Sequence, residues 1–295
     1  MTAAPILITG ASGQLGAYLL HAARCRNRSV AAWSGAHEGE IAGIPLTPVD
    51  LTDAAQTAAA FRTAAPQVVI HAAAVASIAE CQRDPARARR VNVDATARLA
   101  QLAAQAGSRL LLVSTDLVFD GARGGYREDD APAPLSEYGR TKLAAEQAVL
   151  AHPQHSVARV SLLFGPSRNG RVGFFDQQRE ALRAGKAIQL FEDEWRSPLD
   201  LHSAAAGLLA LAESDFTGLL HCGGPERLSR LEMGQRLARQ LNLDPAAIAP
   251  TRRDTHPAPE PRPRDVSLNS TRWRRLFPQQ PRPTYEEALA ALLAD

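Results

Sequence analysis

Three glycines, each three residues after the last, constrain this chain more than any other stretch. They stand in Thr9-Gly10-Ala11-Ser12-Gly13-Gln14-Leu15-Gly16. An apolar run, Ile6-Leu7-Ile8-Thr9, precedes them, and a helical pattern over residues 15–25 follows. A strand that turns through glycine directly into a helix places the helix's unpaired amides at the strand end. Gly10 permits the tight turn, Gly13 lets backbone approach a diphosphate, and Gly16 lets the helix pack on the strand. Gly10, Ser12, Gly13, Gln14, Leu15 and Gly16 are therefore candidates for holding a dinucleotide.

The rest of the first half alternates in the same way. Strands are expected at 29–33, 46–49, 68–71, 109–113 and 157–160, with helices at 54–63, 85–106 and 136–151. Apolar strands separated by helices predict a parallel, doubly wound α/β sheet. The second half shows helical patterns at 174–184, 204–212, 231–241 and 285–294 and a short strand at 218–221. We expect a dinucleotide-binding unit over 1–166, rejoined by 197–223, and a smaller lobe from 167–196 and 224–295. The Pro- and Arg-rich stretch 245–263 reads as an extended connection.

Composition excludes other classes. A net charge of +2, with 22% charged residues in 295, carries no electrostatic footprint for nucleic acid. No apolar run reaches the ~18 residues of a membrane span, and the N-terminus lacks a secretory pattern. Cys25, Cys81 and Cys222 are too dispersed for a disulfide framework, so a reducing cytosolic setting is expected. The eight histidines, His256 among them, have no ligand spacing, and no metal is expected.

Two further groups of residues suit a nicotinamide cofactor. Ser34, just past the second strand, stands where an acid would read an adenosine 2′-hydroxyl. With Arg24, Arg26 or Arg28 nearby, it favours NADP over NAD. Asp50 and Leu51 follow the third strand, where Asp50 or Thr52 also suits a helix cap. Ala72, Ala73 and Ala74 follow the fourth strand and leave room for ribose and phosphate.

Tyr138-Gly139-Arg140-Thr141-Lys142 begins a helix and sets tyrosine and lysine on one face. A cation one turn from a phenol is expected to lower its pKa toward neutrality. Only two of the 33 basic residues are lysine, Lys142 and Lys186. A lysine at this position is therefore not compositional drift. Thr115, closing the strand Leu112-Val113-Ser114-Thr115, suits polarisation of a substrate oxygen.

Together, Ser114-Thr115-Asp116-Leu117-Val118-Phe119-Asp120-Gly121, the prolines Pro132 and Pro134, and the Tyr138–Lys142 motif resemble the dTDP-4-dehydrorhamnose reductase group of extended short-chain dehydrogenases/reductases. The Gly-x-x-Gly-Gln-Leu-Gly loop, Val91-Asn92-Val93, the run from Arg159 to Gly165, and the run from Arg262 to Leu268 carry the similarity over nearly the whole chain. The resemblance implies Tyr138 as proton donor, Lys142 as its electrostatic partner and Thr115 orienting a carbonyl. It places Asp116 and Leu162 at the sugar and Arg196 in the substrate cleft. Leu117 and Leu162 depart from the group's aromatic residues at these positions. The implied activity is NAD(P)H-dependent reduction of a keto group on a nucleotide-sugar. A sugar-nucleotide epimerase and a non-catalytic cofactor-binding regulatory subunit are the alternatives. A homodimer through 85–106 and 136–151 is the superfamily's habit.

Overall fold

The computed structural model describes residues 5–255 and 260–294. His256 and part of the 245–263 stretch lie outside the described residues. The sheet strands are β1 (Ile6–Thr9), β2 (Val30–Ser34), β3 (Glu40–Ile41), β4 (Ile44–Pro48), β5 (Val68–His71), β6 (Arg109–Thr115) and β7 (Ser156–Val160). The helices among them are α1 (Gln14–Cys25), α2 (Ala54–Ala64), α3 (Ile78–Arg83), α4 (Pro85–Arg89), α5 (Ala95–Gln105) and α6 (Glu137–Leu150). Next come β8 (Leu163–Phe164), α7 (Phe174–Arg183), β9 (Ile188–Phe191), β10 (Trp195–Arg196), β11 (Leu199–Asp200) and α8 (Leu201–Glu213). The chain ends through β12 (Gly218–Cys222), β13 (Leu228–Ser229), α9 (Arg230–Gln240), β14 (Ile248–Thr251), α10 (Thr271–Leu276) and α11 (Tyr285–Ala294).

Eight strands form the central sheet in the order β12-β7-β6-β5-β1-β2-β4-β3, parallel except for the β3–β4 hairpin. This is the doubly wound α/β architecture expected from the apolar runs. The order reverses between β1 and β5, and open α/β sheets bind ligands in the crevice at that point. Thr9 stands beside Trp33 on one side and His71 on the other, so β1, β2 and β5 end on one line.

Two apolar layers clothe the sheet. One packs α1 and α8 together with Trp273 of α10, and the other packs Phe61 of α2, Leu99 of α5 and Val149 of α6. A third core, built by α7, α9, α11, β9 and β14, belongs to the second half of the chain. Within the described part of the stretch expected to be an extended connection, Ile248–Thr251 forms a strand that pairs in parallel with Ile188–Phe191. The helix expected over 85–106 is interrupted by a π-turn at Arg90–Asp94. Among the described residues, no helix is long and apolar enough to cross a membrane.

Trp273 is fully buried, and a Cβ on Gly207 of α8 would lie 2.4 Å from its ring. The C-terminal segment is thus keyed into a helix of the main sheet. Trp273→Ala should lower unfolding stability by about 3–5 kcal/mol, through lost apolar burial and a cavity beside Gly207. Urea denaturation checks this, and a loss under about 1 kcal/mol would mean the indole is not a keystone.

Candidate active site

The glycine loop occupies the switch point. Gly10 adopts φ +69°, and a Cβ there would come within 2.8 Å of the Ala72–Ala73 backbone after β5. Gly16 is more constrained still, since a Cβ would meet the Gly10 carbonyl at 2.2 Å. Gly13 caps α1 without any side-chain acceptor, and the first turn holds no acid. A helix start with free amides, reached only by backbone, fits the diphosphate of a dinucleotide. Beneath it, Ala73 N donates to Thr9 Oγ1, and Thr9 Oγ1 meets His71 Nδ1 at 2.6 Å. His71 Nε2 meets Thr96 Oγ1 at 2.8 Å. Burial and nearby Lys142 lower the His71 pKa to about 3, so it is a neutral strut.

A cavity of about 700 Å³ opens from this crevice. It brings together ten of the sequence candidates: Gln14, Leu15, Ala72, Ala74, Thr115, Asp116, Tyr138, Lys142, Leu162 and Arg196. Tyr138 and Lys142 share a face of α6, whose start is capped by Ser136 Oγ accepting from Gly139 N at 3.1 Å. Lys142 is buried, and its Nζ donates to the Val113 carbonyl at 2.8 Å. Desolvation lowers its pKa to about 8. Desolvation also raises the Tyr138 phenol, as does the charge of Asp116, while a hydrogen bond with Thr115 works the other way. This reverses the expected direction. Lys142 is turned to a strand carbonyl, and burial outweighs the pull of a cation one turn away.

Two buried clamps hold α6 in place. Glu146, one further turn along, accepts from Arg159 Nη2 at 2.7 Å and from Ser114 Oγ at 2.5 Å. Asn92, in the π-turn, accepts from Val75 N at 2.8 Å and donates to Thr141 Oγ1 at 3.0 Å. Neither residue was assigned a role from sequence. Glu146 carried a readable signal, because 138, 142 and 146 form one stripe at i, i+4, i+8. Asn92 had only its place in the Val91-Asn92-Val93 match.

The far end of the cavity is lined by charge in balance. Asp116 Oδ2 accepts from Ser161 Oγ at 2.8 Å and lies 3.8 Å from Arg196 Nε. Burial raises the Asp116 pKa, against the opposing charge of Arg196. The Arg196 fork donates to the Trp195 carbonyl at 2.8 Å and to Glu194 at 2.9 Å. It therefore lines the cleft while bracing its acidic neighbours. Arg230, missed among 31 arginines, also lines the cavity, pairs with Glu194 at 3.3 Å and keeps a buried Nη1 without a hydrogen-bond partner. Leu117 and Leu162 make the adjoining wall aliphatic.

The remaining candidates sit along the sheet's edge, outside the cavity lining. Ser34 is buried and its hydroxyl donates to the His37 carbonyl, so it faces its own loop rather than a ribose. Arg26 and Arg28 pair with Glu213, and Arg24 donates to the Ala42 carbonyl. None of the three serves Ser34. Asp50 accepts from Thr52 Oγ1 at 2.7 Å and from Thr52 N at 2.8 Å, which lowers its pKa, and Leu51 is buried with its carbonyl accepting from Arg98 at 3.1 Å. The cap of α2 is Asp53, not Asp50 or Thr52. Ser12 and Ala73 contribute backbone to the crevice.

A glycine-turn dinucleotide crevice opening on a Tyr–Lys–Thr cavity defines an NAD(P)-dependent oxidoreductase of the extended short-chain type. Residues 4–295 match the family model described as RmlD substrate binding domain, and the chain belongs to that family. It is 32% identical over 297 residues to the dTDP-4-dehydrorhamnose reductase of Mycobacterium tuberculosis, covering 98% of this chain and 92% of the relative. It is also 30% identical to methionine adenosyltransferase 2 subunit beta of Pongo abelii, over 92% of this chain and 82% of that one. Among solved structures, a hypothetical dTDP-4-dehydrorhamnose reductase from Sulfolobus tokodaii aligns with TM-score 0.82 and 30% identity, covering 95% of this chain and 97% of that one.

The depressed Lys142 has a thermodynamic signature. Below pH 8 both folded and unfolded chains carry its proton, and the folded chain bears the full cost of burying a charge, about 3 kcal/mol for a fall from 10.5 to about 8. As pH rises from about 8 to 10.5 the folded form releases the proton first, and the cost disappears. Lys142→Met should therefore be more stable than the parent by about 1–3 kcal/mol at pH 7, with the advantage shrinking above pH 8. Denaturant titrations of both proteins from pH 6.5 to 10 test this, and a variant less stable at pH 7 would contradict it.

Proposed function

We propose that the chain is a reductase that transfers a hydride from NADPH or NADH to the 4-keto group of a nucleotide-linked sugar. The substrate class follows the names of the dTDP-4-dehydrorhamnose reductase relatives. The observation that carries the chemistry is that Tyr138, Thr115 and Lys142 line one cavity, with Lys142 buried one helical turn from Tyr138. Residues 1–166 with 197–223 hold the cofactor, and 167–196 with 224–295 face the sugar. In support, β12 closes the main sheet, while Glu194, Arg196, Arg230 and Arg262 reach the cavity from the other segments.

A reduced nicotinamide held at the glycine loop would supply a hydride, which carries both electrons of the reduction, for the carbonyl carbon. Reduction also needs one proton on the oxygen. Tyr138 provides it, and its raised pKa keeps the phenol loaded at neutral pH. As the proton leaves, Lys142 offsets the charge on the phenolate, because below about pH 8 it is still cationic. The Thr115 hydroxyl holds the phenol and the carbonyl oxygen in line.

A cofactor-binding regulatory subunit is the second reading, favoured by the similarity to methionine adenosyltransferase 2 subunit beta. Tyr138→Phe separates the two. With a 4-keto nucleotide-sugar and NADPH, the variant should lose about 10²–10⁴-fold in kcat while binding cofactor as before. Unchanged turnover, or none in the parent, would remove the reductase reading.

A further inference from the structure

We propose that Arg171, with His37 beside it, forms a subsite for the 2′-phosphate of adenosine and makes the chain select NADP(H) over NAD(H). The assignment rests on the cofactor reading above and adds the residues that discriminate. In a diphosphate-binding β1–α1 turn, the adenosine ribose lies at the end of β2. An acid there would accept the 2′-hydroxyl of NAD. Here the position is Ser34, whose hydroxyl is turned into its own loop onto the His37 carbonyl. The arginines close in sequence are committed elsewhere, to Glu213 and to the Ala42 carbonyl.

The cation at this corner comes instead from the far half of the chain, where the first residues of the segment that otherwise faces the sugar turn back to the cofactor side. Residues 165–173 pass across the glycine loop as a strap, fastened at several points. Gln14 Nε2 donates to the Gly165 carbonyl at 3.1 Å, and Tyr18 Oη to the Pro166 carbonyl at 2.8 Å. Asn169 Nδ2 donates to the Ser12 carbonyl at 3.0 Å, while its Oδ1 accepts from Arg171 N at 3.1 Å. One side chain thus ties Arg171 to the loop that would hold the diphosphate. The Arg171 guanidinium reaches the His37 ring by hydrogen bond, and both residues are exposed. Among the described residues no carboxylate lies within ion-pair distance of Arg171. A guanidinium fork held beside an imidazole without an acid suits a dianionic phosphate, and the fork can bind it through two donors.

The test is calorimetric binding of NADPH and NADH to the parent chain, Arg171→Ala and Arg171→Lys. The parent should prefer NADPH. Arg171→Ala should weaken NADPH about tenfold to a hundredfold and leave NADH within about twofold, since one charge-assisted contact is lost. Arg171→Lys should retain part of the preference. Adenosine 2′,5′-bisphosphate should lose affinity with NADPH, and adenosine 5′-diphosphate should not. Equal losses for both cofactors, no loss for NADPH, or a parent that prefers NADH would overturn this assignment alone. A parent that binds neither cofactor would overturn the reductase reading and this assignment with it.

Discussion

The buried ion pair between Glu146 and Arg159 anchors everything the site depends on. Both side chains are nearly inaccessible, and Ser114 and the Phe119 ring complete their surroundings. Removing one partner of such a pair strands a charge in the interior, at a cost of about 3–5 kcal/mol. The pair joins α6 to β7, and Ser114 joins it to β6. That register brings Tyr138 opposite Thr115 and Lys142 under Val113. Asn92 ties the same helix to the loop after β5 from the other side. The proposed chemistry therefore stands on rigid elements rather than loops.

At the far end of the cavity the structure balances charge instead of displaying it. Asp116, Arg196, Glu194 and Arg230 alternate in sign along the cavity wall. Each buried charge has an opposite neighbour, which offsets desolvation and fixes the side chains. The unpartnered Arg230 Nη1 stands out in this arrangement. Elsewhere in the second half, other arginines are taken up internally. Arg253 pairs with Asp193, and Arg264 lies over the Trp195 ring.

Much of the fold could be read from sequence because period and punctuation agreed. Short apolar runs became strands, and three glycines marked a turn where Cβ atoms at Gly10 and Gly16 do not fit. Lysine is scarce in this chain, and Lys142 lines the cavity beside Tyr138. What escaped depended on distance in space. The phenol shift reversed because burial, invisible in a motif, exceeds the effect of a neighbouring cation. Arg24, Arg26 and Arg28 were near Ser34 in sequence but point elsewhere, whereas Arg171 arrives from 134 residues beyond His37. The π-turn at Arg90–Asp94 leaves no periodic trace, since it keeps the helix and only shifts its register.

The most direct test of the central claim follows the hydride. The chain would be given a 4-keto nucleotide-sugar and NADPH carrying deuterium at the transferable position of the nicotinamide. Mass spectrometry of the sugar and absorbance of the cofactor would be read together. The account predicts one deuterium in each reduced sugar and one cofactor oxidised per product. Product without label, or conversion of the sugar with no net oxidation of cofactor, would contradict it.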